Sequence, residues 1–374
     1  GLEPMIQEKT GLVLDAYFSA SKIAWVLENV EGTKELMKQG RLMFGTVDTW
    51  LLYNFTEKTA HLTDVTNASR TMLFNIESLK WDQSLLDLFG IDKRILPEVK
   101  NSADHFGYAN IQGYQIPIRS MVGDQQAALF GQRCYHAGDV KSTYGTGAFV
   151  LMNTKDKKVI SEHGLLTTIA VGLEGKVDYA LEGSVFMAGA LLEWLKDSLN
   201  LVDAIEDTEY FAGKVADTAG VYCVPAHSGL GAPYWDMHAR GAFLGLTQAT
   251  EKSHLIRASL ESIAYQVYDV IAAMGEDADL QLGQLRVDGG VSKNQFLMQF
   301  QSDLLDTAIH RPNMTELTAL GAFYLAALES RWFKDIEDIE KLSENKKVWT
   351  SQMDSSTRKK VLSGWSKAVK TILT

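Results

Sequence analysis

Three segments of this sequence share one pattern, in which a short run typical of a β-strand ends at glycine and polar residues. The runs are residues 116–122, 140–144 and 285–288, and they lead into Gly123-Asp124-Gln125, Gly145-Thr146-Gly147 and Gly289-Gly290. Glycine lets the backbone approach a ligand closely, and α/β proteins bind ligands where strands end. The pattern therefore predicts an α/β fold whose functional site is built from strand ends.

The order of the predicted elements indicates two domains. Helical spacing of apolar residues predicts helices at 19–30, 34–38, 47–55 and 83–89, so the stretch to about residue 115 is expected to be mainly helical. An antiparallel meander is then predicted at 140–144, 148–153, 165–171 and 176–181. Beyond it, helices at 184–199, 254–274, 294–305 and 355–372 alternate with short strands at 221–224 and 285–288. We expect a mixed sheet flanked by helices, with domains at 1–133 and 134–374.

Charge and cysteine content restrict the partners and the compartment. The formal net charge is −11, which would repel nucleic acid and an anionic membrane surface. Small anions remain compatible with this charge, because backbone N–H groups can hold a phosphate. Cys134 and Cys223 match neither a disulfide framework nor a zinc pattern, and we expect a cytoplasmic protein without membrane insertion.

Asp124 and Gln125 follow the first of the three strand ends. A helix N-terminus keeps a carboxylate ionised, and such a carboxylate can orient a hydroxyl group and accept its proton. The amide of Gln125 can donate to and accept from neighbouring hydroxyls. The alternative is that Asp124 only caps its helix.

The other two strand ends are suited to phosphate. The N–H groups of the Gly145-Thr146-Gly147 turn and the Thr146 hydroxyl would form an anion-binding nest, although such a turn also occurs in ordinary hairpins. Gly289-Gly290 could cradle a nucleotide, with the alternative that Asp288 merely stabilises a turn.

Two long segments resemble the signatures of the FGGY carbohydrate kinases. They are residues 17–29 and residues 241–246 with 254–261, in the order that the family shows. Four further stretches resemble the glycerol kinases within that family, at 44–50, 66–72, 123–131 and 229–235.

The resemblance implies an actin-like ATPase fold, with two ribonuclease H-like domains and the active site in the cleft between them. It implies that ATP phosphorylates glycerol to sn-glycerol 3-phosphate, with ATP/ADP and Mg²⁺ as cofactors and a homo-oligomeric protein. Asp124 matches the catalytic base, which could also reach the metal through water. The glycerol-pocket positions are Tyr17, Asp124, Gln125 and Phe149. The nucleotide positions are Thr146, Gly189, Glu193, Gly290 and Asn294, with glutamine often found in the family at the position of Glu193.

Glycerol kinases begin with an Asp-containing strand, a Gly-Thr-Thr turn and an Arg-Glu pair, none of which precedes Gly1. We therefore expect that an N-terminal segment is missing, that the first domain is incomplete and that this chain alone is poorly active.

Residues 161–170 resemble the regulatory segment of Gram-positive glycerol kinases. The resemblance implies that His163 is phosphorylated by the phosphocarrier protein of the sugar phosphotransferase system. The alternative is an ordinary surface histidine in a loop before a strand.

Three other functions fit parts of the sequence. A different FGGY kinase, such as one for a pentulose, would share both signatures. An ATP-driven binding protein of the actin and Hsp70 group would share the fold but not the Gly123-Asp124-Gln125-Gln126 motif. The third alternative is an inert domain fragment.

Overall fold

A computed structural model of the protein describes residues 1–373. The helices are α1 Glu3–Thr10, α2 Ser19–Asn29, α3 Thr33–Lys38, α4 Val47–Phe55, α5 Val65–Ala68, α6 Gln83–Phe89, α7 Asp124–Gly131, α8 Gly189–Asp197, α9 Asp207–Gly213, α10 Lys252–Ala278, α11 Gln295–Leu305, α12 Leu317–Glu329, α13 Ile336–Glu340 and α14 Ser355–Ile372. The strands are β1 Leu62–Asp64, β2 Phe74–Asn75, β3 Lys80–Trp81, β4 Glu98–Lys100, β5 Ala103–Ile111, β6 Tyr114–Ser120, β7 Val140–Tyr144, β8 Ala148–Lys155, β9 Leu166–Leu173, β10 Lys176–Val185, β11 Tyr222–Val224, β12 Ala242–Leu244, β13 Leu285–Asp288, β14 Ile309–Pro312 and β15 Lys346–Trp349.

The largest sheet has seven strands in the order β15-β14-β13-β7-β8-β10-β9. Strands β7, β8, β10 and β9 form the antiparallel meander, whereas β13 pairs in parallel with both β7 and β14. This arrangement confirms the expected mixed sheet flanked by helices.

The two faces of this sheet differ in chemistry. Strand pairing places Lys141 opposite Leu151 and Arg286, and Thr143 opposite Phe149 and Asp288, so these side chains share one face. Residues at the alternate positions form the other face, which joins helices α8, α10 and α11 in the main hydrophobic core. That face contributes Val140, Tyr144, Val150, Met152, Leu181, Val185, Leu285 and Val287.

The N-terminal part packs against the sheet from the meander side. Its own core includes the buried Phe18 and Leu73 and extends to Ile169 of β9 and Tyr179 of β10. Helix α7 contributes Leu129 to a small cluster with residues of β8, β9 and β10. The start of α7 therefore lies at the polar face of the sheet.

Two predictions about secondary structure need correction. The region before residue 115 holds more helix than strand, as expected, but it also contains strands β1 to β5, which were not predicted. Strands β1 to β4 have only two or three residues and are too short to display an alternating pattern. The helix predicted at 184–199 begins only at Gly189, since pairing of Ser184 and Val185 with β8 extends β10. A run of small and apolar residues is compatible with both a helix and a strand, and only pairing with a neighbouring strand distinguishes the two.

Within the described chain, no helix is both long enough and apolar enough to cross a membrane.

Candidate active site

A cleft of about 670 Å³ lies where the N-terminal part meets the polar face of the sheet. All four residues predicted to bind the substrate line it, namely Tyr17, Asp124, Gln125 and Phe149. They come from the segment before α2, the first turn of α7 and strand β8. The structure thus brings these side chains together, while their roles in binding and catalysis stay predictions.

Asp124 occupies the first position of helix α7. Gly123 is the N-cap residue and supplies no side-chain cap, so Asp124 does not fill the capping position that was the alternative for it. Its Oδ1 accepts a hydrogen bond of 2.8 Å from the backbone N–H of Gln125, and the side chain is exposed in the cleft. The helix N-terminus favours a negative charge at this position.

A buried hydrogen-bond chain holds the residue before Asp124. The N–H of Gly123 donates to Oγ1 of Thr66 at 2.8 Å, and this hydroxyl donates to the carboxylate of Asp64 at 2.7 Å. Asp64 also accepts from Ser102 Oγ at 2.7 Å and from the N–H of Asn67 at 2.9 Å. Burial raises the pKa of Asp64 from 3.8 to about 6, and these hydrogen bonds oppose the rise.

Asp64 was missed in the sequence. Its spacing to Thr66 and Asn67 is typical of a helix cap, and it does cap α5. No local pattern could reveal the contact between Thr66 and Gly123, which are 57 positions apart.

Lys141 of β7 was also missed, and its side chain is fully buried. Its ammonium group donates to Oε1 of Gln125 and, at 3.1 Å, to Oγ1 of Thr143. Burial lowers the pKa of Lys141, whereas the carboxylates of Asp288, Glu182 and Asp124 raise it. The signal available in the sequence was a lysine inside a run predicted to be a strand, although lysine is rarely buried.

An ion pair joins the two sides of the cleft. Arg70 and Glu182 both line it, with nitrogen-to-oxygen distances of 2.9 and 3.0 Å for two pairs of atoms. Glu182 belongs to β10 and is buried, and the guanidinium of Arg70 also lies over the ring of Phe18. This contact connects the N-terminal part to the sheet beside Asp124.

Thr146 and Gly189, both predicted to contact nucleotide, are neighbours in the structure. The turn that carries Thr146 packs against the start of α8, where the N–H of Gly189 donates to the carbonyl of Gly145 at 2.9 Å. A Cβ atom at Gly189 would lie 2.6 Å from that carbonyl oxygen. The close approach of these two backbones therefore requires glycine at position 189.

The other three predicted nucleotide residues differ in their surroundings. Gly290 lines a second cavity of about 360 Å³ together with Lys293 and Arg311. Asn294 caps α11 by accepting from the N–H of Leu297 at 2.9 Å, so its side chain already serves the fold. Glu193 is exposed on α8, one turn after Gly189.

His163 lies in the connection between β8 and β9, outside the set of residues that lines the cleft. Its Nδ1 is 2.7 Å from a carboxylate oxygen of Asp277, whose side chain is buried, and its own side chain is 38% exposed. The hydrogen bond to Asp277 raises the pKa of His163.

Across residues 1–373, no group of three or more His, Cys, Asp or Glu side chains is placed to hold a metal ion. Magnesium in kinases is bound by one or two carboxylates together with substrate phosphates. The exposed carboxylate of Asp124 fits that pattern of ligands, so the residues present are compatible with Mg²⁺ carried mainly by a nucleotide.

The chain is similar to proteins of known families. The profile of the N-terminal domain of the FGGY family of carbohydrate kinases matches residues 1–131, and that of its C-terminal domain matches residues 140–330. A glycerol kinase from Shewanella frigidimarina is 55% identical over 99% of this chain and 74% of its own length. One from Fusobacterium nucleatum is 55% identical over 99% of this chain and 75% of its own length.

A crystal structure of Plasmodium falciparum glycerol kinase with ADP superposes with a TM-score of 0.95 at 40% identity, covering 100% of this chain and 75% of that one. This similarity confirms the expected two-domain, actin-like fold. The chain spans about three quarters of the length of these relatives, and the expectation of a missing N-terminal segment stays a prediction. Because the two family profiles together match most of the sequence, the chain belongs to the FGGY family of carbohydrate kinases.

Proposed function

We propose that the protein transfers the γ-phosphoryl group of ATP to a terminal hydroxyl of glycerol, forming sn-glycerol 3-phosphate. The observation that carries the proposal is the cleft in which Tyr17, Asp124, Gln125 and Phe149 lie together. Support comes from the 55% identity to two proteins named glycerol kinase.

Asp124 acts in this proposal as the general base. The glycerol oxygen bonds to the γ-phosphorus, the bond from that phosphorus to the β,γ-bridging oxygen breaks, and ADP leaves. Asp124 accepts the hydroxyl proton late in the reaction, since phosphoryl transfer has a loose transition state. A carboxylate in the first turn of α7 and exposed to the cleft is suited to this task.

The remaining residues of the cleft position glycerol. Gln125 hydrogen-bonds a hydroxyl group, while the rings of Tyr17 and Phe149 cover the carbon chain. Their side chains are 71% and 38% exposed, so both rings are accessible to a ligand. Aromatic faces beside a few polar groups are typical of sites for small polyols.

In this proposal the nucleotide lies outside the lining of the cleft, and the second cavity, which Gly290 lines, forms part of its site. Thr146 and Gly189 contact its phosphates, Gly290 and Asn294 border its nucleoside, and Glu193 lies at the edge of the site. Mg²⁺ would neutralise charge on the transferred group; the nucleotide phosphates would hold it, and Asp124 is the residue that would reach it through water.

The test is ADP release measured with glycerol, D-xylulose or no acceptor. Glycerol should give the highest kcat/KM, and release without acceptor should be negligible. Faster turnover of the pentulose would assign the protein to a different FGGY kinase activity. ATP binding without turnover of either acceptor would favour a binding protein or an inert fragment.

We also propose that His163 is phosphorylated by the phosphocarrier protein of the sugar phosphotransferase system and that this raises activity. Asp277 engages Nδ1, and Nε2 lies 3.5 Å from Glu276 at the surface, where a partner can reach it. A phosphoryl group there adds up to about two negative charges beside Glu276 and Asp277 and would repel both side chains. Their displacement would rearrange the loop.

The test is incubation with the phosphocarrier, its first enzyme and phosphoenolpyruvate, followed by mass spectrometry for an acid-labile phosphate. His163→Ala should abolish the label. His136→Ala, at a histidine whose side chain is 69% exposed, is the matched control and should keep it. A label that persists in His163→Ala would show that another residue is modified.

We further propose that the protein works in the cytoplasm and forms homo-oligomers. The two cysteines are free and buried, which is compatible with a reducing compartment. Helices α2 and α4 expose Trp25 and Trp50, with 61% and 64% of their surface accessible, and a second copy could cover such apolar side chains. Sedimentation equilibrium would test the assembly, and a monomer at micromolar concentration would contradict it.

A further inference from the structure

Lys141 is a fully buried lysine that contacts Gln125, a residue that lines the proposed active site. It lies on the polar face of the sheet, and its ammonium group donates to the side chains of Gln125 and Thr143. No role for it follows from the proposed chemistry. A buried lysine is costly unless it is paired and hydrogen-bonded, so its presence calls for a specific contribution.

The chemistry of the two groups decides how the Gln125 amide is oriented. An ammonium group has donors only, and the only acceptor of a carboxamide is its oxygen. Contact with Lys141 therefore turns Oε1 of Gln125 toward the sheet. The two N–H donors of the amide remain for the cleft that Gln125 lines.

Lys141 is enclosed by groups that interact with its ammonium group. Burial lowers the pKa of Lys141, and the carboxylates of Asp288, Glu182 and Asp124 oppose that change by favouring the protonated form. Two of them belong to the sheet, and the third is the proposed base. A cation enclosed in this way cannot turn out to solvent, so its hold on Gln125 is preorganised.

We propose that Lys141 is a positioning residue that determines specificity: it fixes the Gln125 amide so that a hydroxyl oxygen of the substrate meets an N–H donor. The inference rests on the proposed function and deepens it. The substrate must then place a hydroxyl oxygen beside the N–H group of Gln125. A substrate that lacks this hydroxyl leaves the N–H group without a hydrogen-bond acceptor. Discrimination of this kind is strong because an unpaired buried donor is costly.

Three variants test the inference in the full chain. Lys141→Met keeps the length of the side chain but removes the donor. Gln125→Glu keeps an oxygen for Lys141 while replacing the donor that faces the cleft. Lys359→Met, at an exposed position of α14, is the control. Thermal unfolding of each variant establishes that it is folded.

The first readout needs no catalysis. The side-chain amide of Gln125 is assigned in ¹⁵N spectra as the pair of signals that Gln125→Glu lacks. In the wild-type protein and in Lys359→Met we expect one sharp pair. In Lys141→Met the pair should shift or broaden because the amide can turn, and an unchanged pair would overturn the inference.

The second readout is the KM for glycerol against the KM for ATP. Lys141→Met and Gln125→Glu should each raise the KM for glycerol about tenfold, with the KM for ATP nearly unchanged. If the wild-type protein phosphorylates glycerol and both variants have the same KM for glycerol as the wild-type protein, the inference is overturned and the proposed function stands. If the wild-type protein does not phosphorylate glycerol, the proposed function fails, and the ¹⁵N spectra alone decide the orientation of the amide.

Should Lys141→Met fail to fold, Gln125→Glu decides the matter. Its carboxylate can pair with Lys141, so its melting temperature should equal or exceed that of the wild-type protein. A normal KM for glycerol in this variant would show that the donor is not used.

Discussion

The two faces of the seven-stranded sheet come from the same strands, yet one carries the candidate chemistry and the other carries the core. Lys141, Thr143, Phe149, Glu182 and Asp288 lie on the cleft side. Their sequence neighbours Val140, Tyr144, Val150, Leu181 and Val287 are fully buried against helices. Because side chains of a strand alternate between faces, each strand supplies both functions. Substitutions on one face should therefore change activity, and substitutions on the other face should change stability.

The largest effect is expected at the cleft. Asp124→Asn removes the proposed base from the first turn of α7 and should lower kcat by roughly 10²–10⁴-fold. The free energy of unfolding should change little, since the side chain is exposed. Asp156→Asn, at another exposed aspartate, is the control. Steady-state kinetics and urea unfolding measure the two quantities, and near-normal kcat in Asp124→Asn would remove the base assignment.

The opposite face should show the reverse behaviour. Leu181 is fully buried in the main core, and Leu181→Ala should lower the free energy of unfolding by about 2–5 kcal/mol through lost packing and a cavity. The KM for glycerol of the folded fraction should stay unchanged. Leu199→Ala, at a leucine that is 40% exposed, is the control and should cost far less. A large rise in KM for Leu181→Ala would break the separation of the two faces.

The ion pair across the cleft tests whether the polar face also contributes to stability. Arg70→Met leaves the buried Glu182 without its partner and should cost about 3 kcal/mol of unfolding free energy. The double variant Arg70→Met/Glu182→Leu should recover most of this loss. Arg94→Met breaks the exposed pair with Asp92 and should cost far less than Arg70→Met, because water screens an exposed pair. An equal cost for Arg70→Met and Arg94→Met would mean that the cleft pair behaves as a surface pair.

A buried carboxyl group on the core side of the sheet should make the free energy of unfolding depend on pH. Burial raises the pKa of Glu261 on α10 from 4.5 to about 7, and the ion pair with Arg257 opposes the rise. Because the pKa in the folded state is the higher one, the protonated form favours folding. Stability from this group is therefore present below pH 4.5 and is lost as pH rises to about 7.

Glu261→Gln should flatten that dependence, by up to about 3 kcal/mol of unfolding free energy between the two pH values. Urea unfolding at several pH values measures the difference between variant and wild type. Glu337→Gln, at an exposed glutamate, should leave the dependence as it is. Parallel curves for Glu261→Gln and the wild-type protein would contradict the raised pKa.

The sequence alone determined the elements whose pattern is local. Strands Val140–Tyr144 and Leu285–Asp288 and helices Val47–Phe55, Gln83–Phe89 and Ser355–Ile372 were predicted with the bounds that the structure has. Their periodicity and capping residues act over a few positions, so a single stretch of chain contains the information. The same holds for Asp124 at a strand end and for the two family signatures.

Which side chains meet depends on the three-dimensional packing of the chain. Arg70 reaches Glu182 across 112 positions, and Thr66 holds Gly123 across 57. Pairing with β8 extends β10 into a stretch where the local pattern favoured a helix. The packing of α7 on the sheet brings Gln125 into contact with Lys141. Such contacts depend on how the whole chain closes on itself, because hydrogen bonds and buried charges select partners by position in space and leave no periodic trace in the sequence.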